Sequence, residues 1–121
     1  MRTRRRFDGD ESSPLSLPWI HILLALADGD RHGYGIMQDV EDRTDGAVTL
    51  WPATLYGATK RMVAAGLIDR AKAPSTDDDP RRRYYCLTPL GRQVLEQETA
   101  RLAELVNAAR VRNVLGKSTS R

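Results

Sequence analysis

Thr88-Pro89 pairs a hydroxyl that can cap a helix with a proline suited to its first turn, and no proline follows it. One long helix is predicted from there to about Arg112. Val94, Leu95, Leu102, Leu105, Val106 and Ala109 fall on one side of it at near-heptad spacing, with Glu98 interrupting the seam. A helix this long extends past the compact core that a 121-residue chain can enclose, so its apolar stripe needs another surface. The same helix of a second copy would supply one. The alternative is folding back onto its own domain.

The residues before it read as shorter elements. Ser16 caps a first helix with Pro18 in its opening turn. Trp19, Ile20, Ile22, Leu23, Leu24, Leu26 and Ala27 make that helix apolar on nearly all sides, and Asp28-Gly29-Asp30 ends it. His21, inside it, reads as a packed, hydrogen-bonded histidine rather than a ligand. A second helix spans about Gly33 to Arg43, with Ile36, Met37 and Val40 as its inner stripe and Thr44-Asp45-Gly46 as a turn. A third begins near Pro52. Leu55, Thr59, Met62 and Val63 form its inner side, Ala53, Tyr56, Gly57, Lys60 and Ala64 its outer side, and Arg61 borders the outer face. Gly66 stands just beyond its end. Leu67–Ala71 and Arg81–Leu87 read as the strands of a β-hairpin, joined by the turn-forming stretch Pro74–Pro80.

Three short helices, a hairpin and a long helix make a mostly α fold with a small β-hairpin: a winged helix-turn-helix plus a long C-terminal dimerisation helix. The third helix is then the recognition helix and the hairpin the wing. The major groove of B-DNA, about 12 Å wide, admits one such helix. Ala53, Gly57 and Ala64 permit close approach, Thr54 and Tyr56 offer hydrogen-bonding groups, and Lys60 and Arg61 can reach phosphates or base edges. Arg81, Arg82 and Arg83 add positive charge on the wing. The net charge of +3 hides a division. Residues 18–50 hold two arginines against six acids, whereas residues 51–73 hold four basic side chains against one acid. Such a dipolar layout turns one face toward a polyanion. Each part also has a plainer reading, since a basic helix can be a solvated face and the three arginines can pair with Asp77, Asp78 and Asp79 across the loop. The conjunction, in this order, favours DNA.

His32-Gly33-Tyr34-Gly35-Ile36, then Pro52-Ala53-Thr54-Leu55-Tyr56 leading to Lys60-Arg61-Met62, then Gly66-Leu67-Ile68, then Arg83-Tyr84-Tyr85 with Leu87-Thr88 and Gly91 together resemble the PadR family of bacterial transcriptional regulators. The resemblance covers about residues 18–112 and is to the short branch with a single C-terminal helix. It implies a homodimer built by the C-terminal helices with help from the first, with Trp19, Leu23, Leu95, Leu102, Leu105, Val106 and Ala109 at the interface. It further implies two winged domains facing a pseudo-palindromic operator in double-stranded DNA, repression, and release by a small-molecule effector. By position it points to Tyr34, Thr54, Tyr56 and Lys60 as DNA contacts and to Arg82 and Arg83 as wing contacts, with Tyr85 and Leu87 anchoring the wing. Four departures stand out. Trp51 occupies a place often held by a small polar residue and cannot accept a capping hydrogen bond. Ala53 replaces a common glycine. Asp77, Asp78 and Asp79 at the wing tip should lean away from phosphate. The C-terminal helix lacks the tryptophan used by members that bind flat aromatic drugs.

Other classes fit poorly. Gly33-Tyr34-Gly35 lacks the third glycine of a dinucleotide fingerprint and follows no predicted strand. Gly116-Lys117-Ser118 mimics the end of a phosphate-binding loop, but Val111 stands where the earlier glycine belongs. No Gly-x-Ser-x-Gly elbow is present, and His21, His32 and the lone Cys86 are scattered. No catalytic residue, cofactor or metal site is therefore expected. A winged module that binds protein instead would show an exposed apolar patch around Tyr56 and Lys60. The longest apolar stretch, Trp19–Ala27, is far short of a bilayer span, and no secretory segment opens the chain, so a cytoplasmic protein is expected. The organisation reads as a charged arm over 1–15, a DNA-binding domain over 16–88, a dimerisation helix over 89–113 and a frayed tail over 114–121.

Overall fold

The computed structural model describes residues 15–77 and 79–115. Residues 1–14 of the expected arm, Asp78 at the wing tip and residues 116–121 of the tail lie outside the described residues. The elements run α1 (Leu17–Ala25), β1 (Arg31–His32), α2 (Gly33–Arg43), α3 (Pro52–Ala64), β2 (Ile68–Ala71), β3 (Tyr84–Leu87) and α4 (Pro89–Val111).

Local chemistry sets the helix starts. The Ser16 hydroxyl accepts from the Trp19 N–H at 3.4 Å, and the Thr88 hydroxyl from the Gly91 N–H at 2.9 Å. His32 caps α2 through Nδ1, which accepts from the Gly35 N–H at 3.0 Å. Trp51 precedes α3 without any side-chain cap, leaving Pro52 to set its first turn. Gly66, at φ +81°, ends α3 in the left-handed region. The first helix is shorter than expected: it closes at Ala25, where the N–H groups of Leu26 and Ala27 turn back onto the carbonyls of Leu23 and Leu24.

The sheet has three strands, not two. It is antiparallel in the order β1-β3-β2, with Arg31 opposite Tyr85 and Arg70 opposite Tyr85 on its other side. The returning strand is also shorter than expected. It begins at Tyr84, so Arg81–Arg83 lie in the loop.

Ile22, Leu23, Leu26, Ile36, Val40, Met62, Leu67 and Ile68 are fully buried, and α1 packs between α2 and α4. Burial of each large aliphatic side chain stabilises the fold by about 1.5–3 kcal/mol. This corrects part of the expected dimer face. Leu23 has no exposed surface and Leu95 only 6%, because both fill the protomer's own core and have nothing left to offer a second copy. His21 packs as read. Arg43 donates to its carbonyl at 3.1 Å and places Nη1 3.2 Å from Nδ1, and burial, followed by the Arg43 charge, lowers its pKa.

One junction joins α3, the sheet and α4. The Thr88 N–H donates to the Leu67 carbonyl at 3.2 Å. The Thr88 hydroxyl lies 2.6 Å from the Gly66 carbonyl and 3.0 Å from that of Leu67, and donates between them. Gly91 makes the approach possible, since a Cβ there would collide with the Leu67 carbonyl oxygen. Further along α4, the buried carboxylate of Glu98 accepts from the Leu15 N–H at 3.4 Å and lies 3.6 Å from the Arg101 guanidinium.

Candidate nucleic-acid interface

The turn between α2 and α3 is held by one side chain. The Thr44 hydroxyl lies 2.8 Å from the Val40 carbonyl and accepts from the Val48 N–H at 3.1 Å, while Asp45 and Gly46 take positive φ. This fixes how α3 leaves α2. Leu55, Thr59 and Met62 bury the inner side of α3 as expected, joined by Ala58, while Val63 is only half-buried, and the Thr59 hydroxyl donates to the Tyr56 carbonyl at 3.0 Å. The outer side is left to solvent. Thr54, Lys60 and Arg61 are exposed, and Tyr56 keeps 57% of its surface and Tyr34, on α2, 64%.

The wing loop divides its arginines. Asp77 accepts from the Tyr84 hydroxyl and lies 3.5 Å from Arg82 Nη1. Asp79 accepts from the Arg81 N–H at 3.0 Å and sits within 3.8 Å of both Arg81 and Arg82. Arg81 and Arg82 are thus paired across the loop, the plainer of the two sequence readings. Arg82 is about half exposed but already committed to Asp77 and Asp79. The Tyr84 hydroxyl, the Asp79 N–H and Arg82 together hold the Asp77 carboxyl below the usual carboxylate range.

Arg83 behaves differently. Its Nη1 donates to the Tyr56 hydroxyl at 3.2 Å, and its guanidinium stands 6.0 Å from the ring centre. It has no carboxylate within 4.0 Å among the described residues, and neither do Lys60, Arg61 and Arg70. The contact joins α3 to the loop between β2 and β3. Tyr34, Tyr56, Arg82 and Arg83 line a shared cavity of about 260 Å³ with His32 and Tyr85. Tyr56, Lys60 and Arg83 line a second. Thr54 and Arg61 line neither. The Arg61 guanidinium instead lies back over Gly57.

Two contributors were missed from the sequence. His32 both caps α2 and sets its ring edge-on to Tyr84, with centroids 5.2 Å apart. The signal was its place three residues before Gly35. Arg70 also lines the second cavity. Tyr85 is buried and Leu87 packs against the core, as the anchoring reading expects. Among the described residues no group of three or more His, Cys, Asp or Glu is placed to hold a metal ion, and no helix is long and apolar enough to cross a membrane.

Residues 22–97 match the family model described as the transcriptional regulator PadR-like family. Over 97 residues the chain is 33% identical to the transcriptional regulator Rv3488 of Mycobacterium tuberculosis, covering 80% of this chain and 81% of that one. It is also 39% identical over 84 residues to an uncharacterised 37.1 kDa protein in transposon TN4556 of Streptomyces fradiae; the match covers 69% of this chain but only 22% of that protein. Among solved structures, a PadR family regulator from Clostridium difficile superposes with a TM-score of 0.63 at 30% identity, over 76% of this chain and 95% of that one. Bacillus subtilis PadR in complex with operator DNA shares the fold, with a TM-score of 0.59 at 21% identity over 68% of this chain and 46% of that one.

Proposed function

Because this chain belongs to the PadR-like family of transcriptional regulators, we propose that it is a cytoplasmic, homodimeric repressor that binds a pseudo-palindromic operator and leaves it when a small-molecule effector binds. Membership in this family makes it a regulator rather than an enzyme. In this reading residues 16–88 bind double-stranded DNA and residues 89–113 join the two copies. The observation that carries it is the outer face of α3, where exposed Tyr56 and Lys60 stand beside Arg83 with no carboxylate of the described residues near either cation. That face is apolar and aromatic in part, at Tyr34, Trp51 and Tyr56, and the cations Lys60 and Arg83 among them favour DNA over a protein partner. Tyr34, Thr54, Tyr56, Lys60, Arg61 and Arg83 contact the duplex, and Arg82 joins them by exchanging a carboxylate for a phosphate. The operator complex of Bacillus subtilis PadR, similar in fold, supports this use of the scaffold.

The dimer is supported by α4. Leu105 is 66% and Val106 44% exposed, on a helix that runs beyond the protomer core, while Leu102, Ala109 and Trp19 are half-buried. A second copy covers this face and sets the two recognition helices about 34 Å apart, one turn of the duplex. An effector entering where α1 meets α4 would alter that spacing. No cofactor is required. Footprinting on the DNA upstream of the protein's own gene tests the reading. Lys60→Ala and Arg83→Ala should each weaken binding to any duplex and lower the slope of log affinity against log salt by about one. Unchanged slopes in both would place the DNA face elsewhere.

A further inference from the structure

The second cavity, about 340 Å³ between α3 and the sheet, has an unusual lining. Lys60 comes from α3, Arg70 from β2 and Arg83 from the wing loop, with Tyr56, Thr59 and Tyr85 between them. No carboxylate of the described residues lines it. The strand register explains why Arg70 is there. Arg70 lies directly opposite Tyr85 and two residues after Ile68, so it shares their face of the sheet. That face turns Ile68 and Tyr85 into the core beneath α3. Asp69, which points the other way, cannot neutralise the cavity. Three like charges from three elements repel one another until an anion enters. A guanidinium prefers a bidentate oxyanion to the neutral phenol oxygen that Arg83 now holds.

We propose that this cavity is a phosphate subsite and that Arg70 is one of its ligands. The proposal rests on the DNA-binding reading for its source, a backbone phosphate of the duplex beside the recognition helix. Lys60 and Arg83 then hold the phosphate from the helix and wing sides, and Arg70 closes the third side from the sheet. Arg83 can do so by turning from the Tyr56 hydroxyl.

The test has two arms. In the first, the salt dependence of binding to a short duplex of random sequence is measured for the wild type, Arg70→Ala and Arg70→Lys. Arg70→Ala should lower the slope by about 0.9, weaken all sequences alike, and leave the melting temperature unchanged, since the side chain is exposed. Arg70→Lys should restore the slope. In the second arm, inorganic phosphate is titrated into the isotopically labelled chain while the amide signals of Lys60, Arg70 and Tyr85 are followed. A lowered slope with no phosphate-dependent shift supports the subsite with the backbone as its source. Phosphate shifts that vanish in Arg70→Ala, in a chain that ignores the duplex, support the subsite for a free phosphorylated ligand and refute the DNA reading. An unchanged slope in Arg70→Ala together with no phosphate shift overturns the subsite, even where wild-type duplex binding leaves the DNA reading intact.

Discussion

Replacing Gly91 by alanine should separate the long helix from the wing. The added methyl group would overlap the Leu67 carbonyl oxygen and press on the Leu87 side chain. Neither can yield easily. The Leu67 carbonyl accepts from the Thr88 N–H, and Leu87 is packed against the core. Overpacking of this kind costs about 1–3 kcal/mol. If α4 retreats instead, the Thr88 contacts to Gly66 and Leu67 weaken, at about 0.5–1.5 kcal/mol for each hydrogen bond. Alanine recovers about 0.5–1 kcal/mol of helix propensity. Because the overlap is severe the upper half of the overpacking range applies, and a net loss of about 1–2.5 kcal/mol is expected, a sizeable share of the roughly 5–15 kcal/mol that holds a domain together. The corresponding drop in melting temperature is about 4–15 °C for a domain of this size. Thermal melting followed by circular dichroism measures it. Gly57→Ala is the internal control, because a Cβ there would meet only the Arg61 guanidinium at 3.7–3.8 Å, an ordinary contact. It should melt up to about 6 °C above the wild type, because alanine gains the same helix propensity there without a collision. A Gly91→Ala variant that melts alongside that control would refute the close approach of α4 to the sheet.

Two further outcomes follow from the same geometry. Leu105→Glu places a charge on the most exposed leucine of the α4 stripe, and twofold symmetry makes each substitution count twice. Dimer dissociation should strengthen by at least about 100-fold, readable by sedimentation. An unchanged dimer, or a wild type that is monomeric at micromolar concentration, would sink that assignment. At the wing tip the carboxyl of Asp77 has a depressed pKa, so its pinning of Tyr84 and Arg82 is present above the ordinary value of about 3.9 and is lost as pH falls through the lower folded value. Amide exchange over residues 79–83 should accelerate at that point while the core remains protected, and Asp77→Asn should reproduce the effect at neutral pH. Equal exchange rates in the variant and wild type at neutral pH would show that the carboxylate does not hold the loop.

The helix starts were legible because their determinants are adjacent in the chain. Ser16 reaches Trp19, Thr88 reaches Gly91, and Pro52 needs no partner at all. The outer face of α3 was legible for the same reason, since helical spacing separates Tyr56 and Lys60 from Leu55 and Met62. What escaped depended on distant pairing. Strand β1 is only Arg31 and His32, too short to alternate, and exists because Tyr84 and Tyr85 return beside it. Helix α1 is apolar all round, so no pattern says that Leu23 turns inward while Leu24 stays 39% exposed. The run of acids and arginines in the wing allowed either pairing or freedom, and only the fold of the loop splits Arg82 from Arg83. Arg70 carried no signal, because its direction follows from which residue of β3 lies opposite.

The split in the wing also explains how a chain with a net charge of only +3 can face a polyanion selectively. Arg81 and Arg82 are neutralised by Asp77 and Asp79, and Arg31 and Arg43 by Asp28 and Asp39 on the acidic side. Pairs like these add little to stability when exposed. Their effect lies in what they leave over. Among the described residues Lys60, Arg61, Arg70 and Arg83, on and beside α3, have no carboxylate within 4.0 Å, and Lys72, Arg92, Arg110 and Arg112 elsewhere have none either. On the proposed reading, the positive charge gathered at Lys60, Arg70 and Arg83 favours the approach of that side to a duplex. Spread evenly, the same net charge would attract DNA to every side and leave the recognition helix no more favoured than the rest. On the proposed reading the wing-tip acids therefore do more than lean away from phosphate: by holding Arg81 and Arg82, they leave Arg83 as the wing-loop arginine free to act beside Lys60.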